Sequence, residues 1–150
     1  MKKLLIILLL TATCAVSHAQ NDLFRKYEDT KGVTTVYVSK AMMNMFPNIS
    51  VGNNKIEKIS RKLDMLRILS CNCPSLIPSI RNYAVAIYKN NRYQLLMQEN
   101  EDGEKTFIYK RGLGKNKNEF VLLSVEHDEL NIINVIGNVS LNDIRQLHDQ

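Results

Sequence analysis

The hydrophobic pattern of this chain changes period several times, and each change marks an element. Residues 33–38 read Val-Thr-Thr-Val-Tyr-Val, β-branched and aromatic types that suit a pleated, half-buried surface and predict a first strand. Ser39 stands where it can cap a short apolar helix over 41–46, which Pro47 stops. Ile56, Ile59, Leu63 and Leu66 are spaced by three, four and three, predicting a helix face with Lys55, Lys58, Arg61 and Lys62 turned outward. From 65 to 71 the pattern suits a second strand, with Leu66 and Ile68 on one side and Met65 and Leu69 on the other. Two strands joined by a helical connection of that length are expected to pair in parallel through a right-handed crossover.

Cys73-Pro74-Ser75 opens a turn. The helix that follows runs to about residue 89, with Leu76, Ile80, Ala84 and Ile87 at core spacing and Pro78 in its first turn. After Asn90 and Asn91, residues 93–99, 106–111, 119–126 and 130–138 read as a four-stranded meander, with a hairpin signal at Asp102-Gly103. Phe107 and Tyr109 alternate with Thr106 and Lys110, which predicts one wet face there. Residues 120–125 and 130–136 are almost continuously apolar, as in central strands covered on part of both faces. Ser140 caps a last helix whose inner stripe is Leu141, Ile144 and Leu147, and residues 20–31 form a short helix or extended lead-in ended by Gly32. The predicted class is α+β: a mixed sheet of about six strands, β-α-β-α and then an antiparallel meander, with helices mainly on one face and a C-terminal helix.

The N-terminus follows a different logic. Lys2 and Lys3 precede an apolar run reaching Val16, and Ser17-His18-Ala19 places small residues third and first before a cut. This is a signal peptide over 1–19, cleaved between Ala19 and Gln20. The run is shorter than the roughly 20 residues that span a bilayer, and no later segment approaches that length. The expected product is exported, soluble after cleavage, and periplasmic or otherwise extracytoplasmic. Lipidation at Cys14 is disfavoured, because Thr11-Ala12-Thr13 lacks the leucine and the small residue that precede a lipidated cysteine. Removing 19 of 150 residues leaves 131, one globular domain over 20–150 with its core within about 24–147. Without Lys2 and Lys3, 18 basic residues face 15 acidic ones, a net +3. That is too mild for a nucleic-acid binder and permits weak attraction to an anionic surface.

Candidate chemistry is sparse. Cys71 and Cys73 are separated by one residue, so in regular strand their Cα atoms would lie about 6.6 Å apart, at the long end of disulfide geometry unless Asn72 bends. They are candidates for a redox or local disulfide, a soft-metal pair or an intermolecular bridge, yet they form no C-x-x-C and have no further ligands nearby. The preferred reading is a buried thiol ending a strand beside an exposed or locally bridged one. Met42, Met43 and Met45 with Phe46 could form a thioether copper site or a soft partner surface, and at helical spacing beside a strand they are expected to fill core. His127 lies in a turn and His148 near the C-terminus, so no ligand cluster is encoded locally. Glu99, Glu101, Asp102 and Glu104 crowd a hairpin tip without the order of an EF-hand.

Arg111-Gly112-Leu113-Gly114-Lys115 lacks Walker spacing and lies between two strands, so it reads as a hairpin loop. With Lys110, Arg111, Lys115 and Lys117 it makes a basic tip, the candidate contact for an anionic surface; the basic face over 55–67 is a second. No G-x-S-x-G or H-E-x-x-H occurs, and no cofactor is implied.

KGVTTVYVSKAM at 31–42, LDMLRILSC at 63–71, the Asp102-Gly103 hairpin and the ending from Ile136-Gly137-Asn138 to Ile144 together resemble a family of small exported Bacteroidota proteins catalogued as a domain of unknown function. The resemblance covers about residues 24–147. It implies an envelope location and these domain boundaries, and brings no catalytic residues. The expected function is a non-enzymatic domain binding a protein or peptide partner of the envelope. The alternative is a thiol-redox or other small periplasmic enzyme using Cys71 and Cys73.

Overall fold

The computed structural model describes residues 18–46, 50–51, 54–55 and 59–148. Most of the signal segment, with Cys14, lies outside them, as do Pro47, Ile56 and Lys58 and the side chains of Ala19, Gln20, Lys55, Leu147 and His148. Helix α1 (His18–Tyr27) leads into β1 (Val33–Ser39), α2 (Lys40–Met45) and the two-residue strands β2 (Ser50–Val51) and β3 (Asn54–Lys55). A 3-10 turn (Ser60–Lys62) then precedes β4 (Leu63–Cys71) and α3 (Ile77–Asn90). The meander is β5 (Gln94–Glu101), β6 (Glu104–Gly114), β7 (Lys117–Val125) and β8 (Leu130–Gly137), and α4 (Leu141–His148) follows. The six long strands form one open sheet in the order β1-β4-β8-β7-β6-β5.

The α+β class, the six strands, the meander and the C-terminal helix form as expected. The pairing of the first two long strands does not. Val33 lies opposite Cys71 and Ser39 opposite Met65, so β1 and β4 are antiparallel and the sheet is antiparallel throughout rather than mixed. Among the described residues the connection holds no crossover helix: α2 has six residues, and two two-residue strands and a 3-10 turn follow it, so the helical crossover on which a parallel pairing was expected is not formed.

The helix expected around 56–66 is likewise replaced where the chain is described. Leu63 and Leu66 lie on β4, and both enter the same half of the core. In a regular strand a spacing of three would send them to opposite faces, but the register shifts between Leu63 and Met65. The bulge inserts one residue and restores both side chains to one face. A bulged strand has thus imitated a helical spacing.

Alternation along the strands supplies two cores. Leu69, Cys71, Val121, Leu123, Leu130 and Ile132 point to one face, where α1 and α3 cover them with Leu23, Phe24, Tyr27, Ile80, Ala84 and Tyr88. Leu66, Ile68, Phe120, Leu122, Ile133 and Val135 point to the other, closed by Met43 of α2, Ile59 and Ile144 of α4. The continuous apolar runs of β7 and β8 are therefore covered on both sides. So is β6, where Thr106 and Ile108 are buried in place of the expected wet face.

Local signals behave as read. The Ser39 hydroxyl accepts the Met42 N–H at 3.2 Å. Ser140 Oγ accepts the Asp143 N–H at 3.3 Å while the Ser140 N–H donates back to Asp143 Oδ2 at 2.8 Å, a reciprocal capping box. Asp102 (φ 48°) and Gly103 (φ 89°) supply the left-handed pair that a two-residue hairpin turn requires.

Candidate functional site

The two edges of the sheet are built differently. β5 is interrupted by a register shift between Leu95 and Met97, and its outer half, Gln98, Glu99, Asn100 and Glu101, is polar and exposed. Bulges and charges are the usual devices that keep an edge from pairing with another chain. β1 has none of them. Its sequence VTTVYVS holds no charge and no proline, and its pairing with β4 is unbroken from Val33 to Ser39. Among the described residues no strand pairs with its outer side. That side carries a row of backbone N–H and C=O groups able to template an added strand.

Apolar surface borders this edge. Tyr37 is 61 % exposed on β1, and Met42, Met45 and Phe46 are 47, 70 and 52 % exposed on and just after α2. Of the three methionines expected in the core, Met43 alone turns inward, at 1 % exposure. A helix of six residues presents little more than one position to the sheet beneath it, so the others face out. Methionine is unbranched and polarisable, and suits surfaces that adapt to a partner.

Where β1 meets α1 there is a cavity of about 400 Å³, bordered by Phe24, Arg25, Thr35, Tyr37 and Arg67 among others. Arg67 on β4 lies directly opposite Tyr37, so both side chains rise on the α1 side of the sheet. The Arg67 Cζ is 5.4 Å from the Tyr37 ring centroid and 5.8 Å from that of Phe24, within cation–π range of both. Among the described residues the four ion pairs are Lys40 and Lys117 with Asp64, Lys62 with Asp143, and Arg111 with Glu119, and Arg67 is in none of them. The basic face expected over 55–67 includes Arg67 as a helix position, but the structure places it on β4, a cation inside the apolar run 65–71.

The four residues of the basic tip are not brought together. Lys110 and Arg111 are successive on β6 and point to opposite faces. Lys110 lies 5.9 Å from the Phe120 ring centroid. Arg111 donates from Nε and Nη2 to Glu119 Oε2 at 3.1 and 2.7 Å, and Asn134 Nδ2 donates to Glu119 Oε1 at 2.9 Å. Glu119 and Asn134, at 1 and 0 % exposure, form a polar inclusion in the sheet that the apolar pattern of β7 and β8 does not announce. Lys115, at φ 51°, holds the hairpin turn and is exposed.

Lys117 and Lys40 both donate to Asp64, Lys40 at 2.7 Å, tying β7 and α2 to β4. The hydrogen bond from Lys117, and then that from Lys40, hold the Asp64 carboxyl below the usual carboxylate range. A carboxylate with a lowered folded pKa stabilises the fold above its unfolded value, about pH 4, and the contribution is lost as pH falls toward the folded pKa. Both lysines are about half exposed, so screening limits the effect. Asp64→Asn is expected to cost about 1 kcal/mol at pH 7, and the gap to wild type should close as the pH is lowered below about 4. Urea unfolding of both proteins along a pH series checks this, and a gap that widens in acid would contradict it.

Cys71 is fully buried and Cys73 half-buried, and both are free thiols here. The Cys71 thiol lies 3.6 Å from the Cys73 carbonyl oxygen, and Cys73 Sγ is 3.2 Å from Ser75 Oγ. The Ser75 hydroxyl pulls the Cys73 thiol below its ordinary range against an opposing desolvation. His127 stands instead at a cavity of about 420 Å³ with Glu101, Asp102, Glu104, Glu126 and Asp128. Burial, followed by the charges of Glu104, Glu129 and Asp128, pushes the Glu126 carboxyl up. Among the described residues no three His, Cys, Asp or Glu side chains are placed to hold a metal.

These features define an α+β domain built on an open antiparallel sheet with one edge guarded by a bulge and charges and one that no strand covers among the described residues. Residues 27–147 match the family described as a domain of unknown function, DUF4252, and the chain belongs to that family. The match lies within the 24–147 span of the resemblance drawn from strand and turn motifs. No curated protein and no solved structure matches the chain. Among the described residues no helix is long and apolar enough to cross a membrane.

Proposed function

We propose that this chain is a non-enzymatic binding domain of the periplasm or cell envelope that takes an extended segment of a protein or peptide partner onto the outer side of β1. One observation carries the reading: β1 is an uncharged edge paired without interruption, while the opposite edge carries a bulge and charges. An unguarded edge invites aggregation unless something occupies it, and strand addition supplies main-chain hydrogen bonds to any extended sequence. Tyr37, Met42, Met45 and Phe46 add adaptable apolar contact at that edge. The leader with Lys2 and Lys3 and the Ala19/Gln20 cut site supports export.

In-cell photocrosslinking tests this. A photoreactive residue at Tyr37 is expected to yield one recurrent adduct in the envelope fraction, and the same residue at Leu95 on the β5 edge is expected to yield none. Absence of any adduct at Tyr37, with substrate turnover by the purified protein, would replace the binding reading with the enzymatic one.

A further inference from the structure

The β1 edge leaves the chemistry of its occupant open, and the cavity beside it narrows that chemistry. We infer that Arg67 is a carboxylate anchor and that the segment added to β1 is acidic, with a glutamate or aspartate side chain reaching across Tyr37 to the Arg67 guanidinium. This rests on the proposed strand addition and specifies its partner.

The argument begins with charge. The Arg67 Cζ lies over the Phe24 and Tyr37 rings at 5.8 and 5.4 Å, cation–π contacts that use none of its hydrogen-bond donors. An arginine has five N–H donors in a rigid fork that matches a carboxylate. Among the described residues none of these donors meets a carboxylate. The second cation of the cavity, Arg25, is differently placed: Asp22 on α1 and Glu28 just past its end, both also lining the cavity, lie three residues to either side of it, a spacing at which opposite charges offset one another. Among the described residues the carboxylate of its own strand, Asp64, is taken by Lys40 and Lys117, and the register partners of Arg67, Tyr37 and Asn134, carry no charge, so Arg67 is in no ion pair.

Geometry makes an added strand the source of that counter-charge. The cavity is bordered by Thr35, Val36 and Tyr37 of β1, so it opens along the edge itself. Side chains alternate across a strand, and every second residue of an added strand would stand on the Tyr37 and Arg67 side. A glutamate there has the reach to pass the exposed Tyr37 ring. A short free dicarboxylate would have the same charge but none of the main-chain hydrogen bonds of the edge.

The test uses the protein purified as the cell processes it, with end-blocked peptides matched to the seven residues of β1: one alternating valine and glutamate, and one alternating valine and glutamine. Affinity is read by fluorescence anisotropy and the site by backbone amide shifts. The glutamate peptide is expected to shift β1 amides and to bind about tenfold or more tightly than the glutamine peptide at low salt, the difference shrinking as salt is raised. Arg67→Met should abolish the difference and Arg67→Lys retain part of it, because an ammonium cannot offer the planar fork.

Equal binding of the two peptides at β1 would overturn the Arg67 assignment while leaving strand addition standing. A glutamate preference that survives in folded Arg67→Met would overturn it too. If neither peptide shifts β1, both the anchor and the edge reading fall. Succinate alone binding as tightly as the glutamate peptide would overturn a peptide as the ligand.

Discussion

Glu119→Ala is expected to lower the unfolding free energy by about 3–5 kcal/mol, the range for removing one partner of a buried ion pair. Glu119 is 1 % exposed and accepts three hydrogen bonds, two from Arg111 and one from Asn134. Its removal leaves the Arg111 guanidinium, 11 % exposed and 4.5 Å from the Tyr93 ring, without its carboxylate. Asn134, whose Oδ1 is already buried without a hydrogen bond, would keep only the long 3.4 Å contact to the Phe120 carbonyl. The pair together behaves differently. Replacing both residues, as Arg111→Met with Glu119→Leu, removes the desolvated charges along with their attraction and should recover most of the loss. Chemical denaturation of the two proteins decides it; a cost below about 1 kcal/mol for Glu119→Ala would mean that the ion pair contributes no more than a surface one.

Gly137→Ala should be as damaging for a purely steric reason. A Cβ at Gly137 would sit 2.1 Å from the Lys62 carbonyl oxygen and 2.9 Å from Leu63 Cα. These are backbone atoms, so no rotamer change relieves the overlap. β8 would have to part from the start of β4, breaking the hydrogen bond from the Asn138 N–H to Lys62 O at 2.9 Å and disturbing the Leu63–Gly137 pairing. The expected cost is about 3 kcal/mol or more, at or above the usual upper end for overpacking.

Gly103→Ala is the informative contrast. Nothing lies within 4 Å of its added Cβ, but φ is +89°, so the cost is conformational and nearer 1–2 kcal/mol. Thermal unfolding of the two variants, with amide exchange at Asn138, separates the mechanisms: Gly137→Ala should lose local protection and Gly103→Ala should keep it.

Much of the architecture was legible from neighbours along the chain. The Ser39 and Ser140 caps, the Asp102-Gly103 turn and the four meander strands each depend on interactions spanning a few residues, and each forms where the pattern places it. The candidate site was legible only in fragments. Tyr37 and Met42 were visible as residues of a strand and a helix, but whether they face a core or solvent depends on what packs over them. Glu119 and Arg111 could have been paired beforehand, because these opposite charges stand on either side of the β6–β7 hairpin turn and lie directly opposite in register. Arg67 offered less: a cation in an apolar strand announces that something must receive it, without saying what.

By itself the sequence determined most of the strands and helices, the helix expected around 56–66 excepted, their caps and tight turns, and that β7 and β8 are buried on both faces, since propensity, capping and alternation act over a turn or a pleat. Tertiary structure alone decided that β1 runs antiparallel to β4 and that, among the described residues, β1 rather than β4 lies at an edge and Arg111 and Lys117 carry ion partners while Arg67 has two rings and no carboxylate. Those outcomes depend on residues dozens of positions apart meeting in one place. The physical cause is that strand order, direction and register, including the bulged residue near the start of β4, are set by pairings between segments distant along the chain, and these decide which charges meet.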